Sequence, residues 1–247
     1  MDRVLYLSMT AASNTLQAQA VNSHNLANAS TTGFRADLSQ FRSMPVFGVG
    51  YASRVYALVE RPGIDFSEGS INYSGNELDI AVSGNGMIAI QMPDGSEAYT
   101  RAGDLHITST GLLENGAGYL VLGNAGPISI PQAEKIEIAA DGTITIRPVG
   151  QDEKTLATID RIKLVNPDKE SLYKAADGQF RIKDGSLAVA DASVRIVPGA
   201  LESSNVNMVE ALVNMIGLAR QFEMHIKVMR SVEENDRVGT GILRLPQ

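Results

Sequence analysis

Apolar positions recur along the first thirty residues in steps of four and three: Leu5, Met9, Ala12 and Leu16, with Leu26 further along the same stretch. This is the spacing of one side of an α-helix, and the steps are heptad-like. Gln19 and Ser23 fall on the same seam and weaken it toward its end. Neither Gly nor Pro occurs before Gly33, so the pattern predicts a helix over about residues 3–29. Gly33 then offers a stop, because glycine enters the left-handed region cheaply.

The far end repeats the pattern more strongly. Met208, Leu212, Met215, Ala219, Phe222, Ile226 and Met229 form one stripe, and Val206, Val209, Val213 and Ile216 form a second beside it. One partner helix covers one narrow seam, so two stripes predict burial from at least two sides. Ser203, Ser204 or Asn205 is expected to cap this helix. Gly217 either admits a close helical neighbour or is simply tolerated at the usual helix cost.

Between the ends the helical period gives way to turns and short β-rich runs. Asn85-Gly86, Asp94-Gly95, Asn115-Gly116, Asp141-Gly142, Asp177-Gly178 and Asp184-Gly185 are pairs that favour the positive φ angles of tight hairpins. They alternate with apolar runs at 87–92, 128–130, 135–138, 143–146, 160–165 and 193–197. That spacing predicts an antiparallel β domain over about residues 76–198. Residues 34–75 fit neither period. Phe34, Phe41, Phe47, Tyr51, Tyr56, Phe66 and Tyr73 sit there among Gly, Ser and Pro, and read as an extended linker and loop region packing between the two parts. The expected class is α+β: an N-terminal helix (1–33), the linker (34–75), an inserted antiparallel β domain (76–198) and a C-terminal helix (199–247).

Composition removes several function classes. The chain has 247 residues, enough for one or two domains with real cores. A net charge of −7 without a block of Lys or Arg argues against nucleic-acid binding, which needs basic patches. The absence of cysteine excludes disulfides and thiolate metal sites. No apolar run has the length of a membrane span, so no membrane insertion is expected. Ala18-Gln19-Ala20 has the small-x-small form of a signal cleavage site, but Asp2 cancels Arg3 and Ser8, Thr10, Ser13 and Asn14 break the apolar stretch. An uncleaved N-terminus is therefore expected.

Catalytic motifs are missing too. His24, His106 and His225 are not spaced as helical metal ligands, and no cofactor or metal is expected. There is no Gly-x-Ser-x-Gly elbow and no Walker loop. The carboxylates Glu77/Asp79 and Glu233/Glu234/Asp236 read as solvated surface, since closeness in sequence does not make a facing acid pair. Nothing requires an enzyme.

The terminal helix poses the more specific question. From Val4 to Arg35 there is almost no charge, and Asn22, Asn25 and Asn28 recur at three-residue steps in the last turns. An uncharged surface of Ser, Thr, Asn and Gln suits contact with other protein, where charges are depleted. The amide row either fixes register in an assembly or frays the helix end, and the residues alone support both readings.

SHNLANASTTGFRAD, residues 23–37, resembles the N-terminal signature of flagellar basal-body rod and hook proteins. LESSNVNMVEALVNMIGLARQFEMHIKVMRSVEEN resembles their C-terminal helix, and the run from LDIAVSGNG to GPISIP is similar to their shared β domain. The MDRVLY start and the RIKLVNPD and DGQFRI segments point to a proximal-rod member over a distal-rod one. The resemblance implies a non-enzymatic structural subunit whose terminal helices pair as a coiled coil lining a hollow helical tube, with the β domain further out. The implied partners are other rod proteins, copies of the same chain and, during secretion, the flagellar type III export apparatus. The implied place is the periplasmic rod, reached without a cleaved signal. The expected assembly residues are Leu5, Met9, Ala12, Leu16, Asn22, Asn25, Leu26, Asn28, Thr32, Phe34, Val206, Val209, Leu212, Val213, Met215, Ile216, Phe222, Ile226 and Met229. The competing reading is a secreted all-β binding or carbohydrate-active domain behind a cleaved signal.

Overall fold

Helix α1 (Val4–Ala27) occupies the stretch without helix breakers. Two hydroxyls bond back along it, Thr10 Oγ1 to the Tyr6 carbonyl and Thr15 Oγ1 to the Ala11 carbonyl, both at 2.9 Å. The computed structural model describes residues 4–45, 55–148, 150 and 156–243, so Phe47 and Tyr51 lie outside the described residues. The helix closes before Gly33: the Asn28 amide bonds the carbonyls of His24 and Asn25, and that of Ala29 bonds Leu26. Gly33 is not the helix stop that its position in the sequence predicts.

The stretch read as linker and loops contains a long antiparallel hairpin, β1 (Asp37–Pro45) with β2 (Val55–Ile64). Its register shifts between Leu38 and Gln40, which breaks the period-two signal. Beyond it come β3 (Ile71–Tyr73), β4 (Ile80–Ser83), β5 (Met87–Gln91) and β6 (Glu97–Thr100). Then follow β7 (Leu105–Ile107), β8 (Leu113–Asn115), β9 (Leu120–Val121), β10 (Ala133–Ile138) and β11 (Thr143–Pro148). The series ends with β12 (Ala157–Arg161), β13 (Leu164–Val165), β14 (Leu172–Lys174), β15 (Phe180–Ile182), β16 (Arg195–Pro198) and β17 (Ala200–Glu202). Helix α2 (Met208–Leu243) is the last described element.

The described strands pair antiparallel throughout. The largest sheet runs β14-β15-β6-β5-β9-β8-β7, with β13 also on β5; β10-β11-β12 form a second sheet, and β16-β4 and β17-β3 are two-stranded. Four of the expected turn pairs put their glycine at positive φ: Gly95, Gly142, Gly178 and Gly185. At Asn85-Gly86 and Asn115-Gly116 the positive φ falls on Gly84 and Gly118 instead. Ile80, Ile88, Leu113, Ile144, Ile162 and Ile196 are fully buried at the centre of the β core. Each such side chain contributes roughly 1.5–3 kcal/mol by leaving water.

The chain divides into two compact units, neither continuous in sequence. Unit 1 takes residues 1–29, 36–65 and 206–247, so it joins both helices to the β1-β2 hairpin. Unit 2 takes residues 30–35 and 66–205. The predicted β domain of 76–198 therefore lacks three pieces of the unit it belongs to: the flanks 66–75 and 199–205 and a six-residue segment from the N-terminal signature.

Candidate assembly surface and the amide row

Within unit 1, α1 packs on α2. Its covered face carries Ser8, Ala12, Thr15 and Ala18, all buried. Met9 and Leu16, expected on the seam with Ala12, are about half exposed (55% and 48%), while Leu5 and Leu26 are half-buried. The covered stripe is thus offset from the apolar seam and built of small residues, which allow close approach of the helix backbones.

On α2 the covered line runs through Ala211, Met215, Leu218, Phe222, Ile226 and Met229. Four of the predicted stripe members past the first turn lie on it. The others face out: Met208, Val209, Leu212, Val213 and Ile216 are 53%, 71%, 46%, 63% and 56% exposed. Val206 precedes the helix, and Ala219 is exposed. Among the described residues, no atom beyond its own stretch of helix lies within 4 Å of a Cβ built on Gly217, so none of them forms a close helical neighbour there.

The cap of α2 is Asn207, whose Oδ1 accepts the amides of Val209 and Glu210 at 3.0 and 3.2 Å. Ser203 and Asn205, expected as caps, bond elsewhere: Ser203 Oγ accepts the Ser70 amide, and Asn205 Nδ2 donates to the Ser67 carbonyl. The helix starts one turn later than the cluster of cap-forming residues suggests.

The amide row has specific partners. Asn22 Nδ2 donates to the Ala211 carbonyl at 2.8 Å, tying the last turns of α1 to the first turn of α2. Asn25 bonds the main chain of Asp37 twice: Nδ2 donates to its carbonyl at 2.8 Å and Oδ1 accepts its amide at 2.9 Å. That pairing imitates a strand neighbour and fixes where β1 begins. Asn28 Nδ2 donates to the His24 carbonyl, and His24 Nδ1 lies 2.9 Å from Asp37 Oδ2.

The rest of the signature enters unit 2. Thr32 is half-buried. Phe34, expected on the assembly surface, is buried, with Lys174 Nζ 3.9 Å above its ring and bonded to the Arg35 carbonyl. Arg35 carries no pattern that marks it in the sequence, yet it is among the largest fully buried side chains. Its Nη2 lies 2.5 Å from Glu202 Oε1, and both side chains are 1% exposed. Arg101 Nε lies 3.3 Å from Glu202 Oε2, and Arg101 also donates to the carbonyls of Val82 and Gly84. Burial pulls the Arg101 guanidinium below its ordinary value, and Glu202 opposes that shift. The Gly33 amide donates to the Glu202 carbonyl at 2.8 Å. A Cβ on Gly33 would stand 2.3 Å from the Arg101 carbonyl carbon, and its φ is +66°. Glycine is needed there for a close pass of two backbones and not for a helix stop.

Among the described residues, no three His, Cys, Asp or Glu come together to hold a metal ion, and no helix is long and apolar enough to cross a membrane. Asp79 is buried and accepts from Asn76 Nδ2, whereas its sequence neighbour Glu77 is exposed.

Three family descriptions match along the chain: "Flagella basal body rod protein" over residues 5–35, "Flagellar hook protein FlgE/F/G D1 domain" over 81–146 and "Flagellar basal body rod FlgEFG protein C-terminal" over 197–242. A flagellar basal-body rod protein FlgF of Salmonella typhimurium is 43% identical over 99% of this chain and all of its own length. That of Escherichia coli is 43% identical over 95% of this chain and 96% of its own. A flagellar basal-body rod protein FlgG of Bacillus subtilis is 28% identical over 94% of this chain. With this identity spread over the whole length, the chain belongs to the flagellar basal-body rod protein family and is FlgF-like within it.

Proposed function

We propose that this chain is a subunit of the proximal part of the flagellar rod, and that its terminal helices, paired as a coiled coil, polymerise with copies of itself and related rod proteins into a hollow shaft that transmits torque. The rod subunit is structural, as its family is. The observation that carries the reading is the outward apolar line Met208, Val209, Leu212, Val213 and Ile216, with Met9 and Leu16 exposed on α1. A contiguous exposed apolar patch on a family of assembling proteins is interaction surface. A patch on one copy that meets a different patch on the next propagates into a helical filament instead of closing. The proximal placing follows the higher identity to the FlgF relatives than to the FlgG relative.

Val213→Asp with Ile216→Asp tests it. Both sites are exposed, so the unfolding free energy of the isolated chain is expected to change by no more than about 0.5 kcal/mol per substitution. The variant is expected to be missing from purified basal bodies and its cells to be non-motile. Normal incorporation would contradict the proposal.

Passage through the type III export apparatus as an unfolded chain, with the N-terminus retained and assembly in the periplasm, belongs to the same proposal. Ala18 is buried in α1, and cleavage after Ala20 would remove the whole small-residue face. Mass spectrometry of the protein from basal bodies is expected to find residues 1–20 present. Their loss would favour the secreted all-β alternative.

A further inference from the structure

We infer that residues 30–35 and Glu202 form a lock on which the cooperative folding of all of unit 2 depends, so that this unit stays unfolded until nearly the whole chain is available to it. The contact joins residues 167 apart in sequence. One carboxylate faces two guanidiniums, and all three groups are buried. Removing Glu202 leaves two buried guanidiniums without their counter-charge, and removing Arg35 takes the shorter ion pair from Glu202 and leaves it only Arg101 at 3.3 Å; breaking such a buried cluster is far more destabilising than never having had it.

Glu202 gathers the unit from several directions. Its side chain accepts the Gly69 amide at 2.9 Å as well as Arg35, and its main-chain carbonyl accepts Gly33. Arg101 relays the grip to the end of β4 through Val82 and Gly84. Phe34 and the Arg35 carbonyl are held by Lys174 on β14, at the edge of the largest sheet. The six-residue insert thus meets the unit at sites contributed by residues 101, 174 and 202, and Glu202 in turn holds Gly69. Contacts of such long range are made late, because the loop they close must be ordered first. A chain lacking either end is left with an open, unstable β unit. The usefulness of this delay rests on the proposed export in unfolded form; the lock itself does not.

Hydrogen exchange on the full chain tests the lock without any assembly. Glu202→Gln removes a charge at constant shape, and Arg35→Met keeps the aliphatic stem. Both are expected to raise exchange about a hundredfold, and together, in β5 and in β11, strands that make no hydrogen bond to either residue. Ser30→Ala, at an exposed position in the same segment, is expected to leave exchange unchanged. Failure of Arg35→Met to fold while Ser30→Ala folds is the same result carried further. Faster exchange confined to residues 33–35, 69 and 202, with β5 and β11 at wild-type protection, would overturn the lock. Loss of assembly in Val213→Asp with Ile216→Asp bears on the rod proposal alone, because those substitutions leave the lock residues intact.

Discussion

At the scale of single residues, the amides at the end of α1 serve as main-chain partners. Asn25 both donates to and accepts from Asp37, so Asn25→Ala strands a carbonyl and an amide at a half-buried site. The expected cost is about 1–3 kcal/mol, read as a lower thermal midpoint, with reduced motility and the β unit still folded. Unchanged motility and midpoint would count against the clamp. The turn carboxylates give a second test. Hydrogen bonds from Ser96, Thr143 and Ser186 hold Asp94, Asp141 and Asp184 below their ordinary value of 3.8. A carboxylate depressed in the folded state contributes stability above its unfolded pKa and loses it as pH falls through the folded one. Unit 2 should therefore lose stability progressively below pH 3.8, and Asp141→Asn should flatten that loss; an identical acid profile would contradict it. The row of Asn was legible in sequence, but its partners were not. Asn25 binds main chain across a turn, which no side-chain pattern records. Arg35 and Glu202 are not legible in the sequence for a similar reason: they pair at long range, and the local signal is one Arg ending a stretch almost free of charge.

At the scale of elements, the two helices were plain because their breaker-free runs are long, while their faces were harder to read. The sequence marks Leu5, Met9, Ala12 and Leu16 as a seam, yet the face turned inward is Ser8, Ala12, Thr15 and Ala18. Small and hydroxylated residues carry little hydrophobic signal, and they are what permits close packing. The exposed larger residues then have no role inside the subunit. A helix with so thin an inner face is marginal by itself in water. Exchange in α1 is accordingly expected to be fast in the isolated chain and slow once the rod has formed, with ordering completed on assembly. Strong protection over Val4–Ala27 in the isolated chain would contradict this. The β1-β2 hairpin escaped the sequence because Pro45, Pro62 and Gly63 argue against strands and the register shift spoils the alternation. The strands of two or three residues, such as β9, β13 and β17, are too short to show any period.

At the scale of the whole molecule, each unit is made from separated stretches of chain, which is why the boundaries at 34, 76 and 198 differ from those of the fold. A linear reading divides the N-terminal signature once, between the helical segment ending at 33 and the linker beginning at 34. In the structure it divides twice, with Asn25 and Asn28 in unit 1, Gly33, Phe34 and Arg35 in unit 2, and Ala36 and Asp37 in unit 1 again. The β character and the helical ends were visible from periodicity and turn pairs; the interleaving was not, because it depends on contacts between residues far apart in sequence. The central claim is that the uncovered apolar face of the helical unit is where neighbouring subunits bind. A density map of the assembled basal-body rod in which this chain is traced tests that most directly. The prediction is that Met208, Val209, Leu212, Val213 and Ile216 are covered by adjacent subunits; finding these side chains facing open solvent in the finished rod would contradict it.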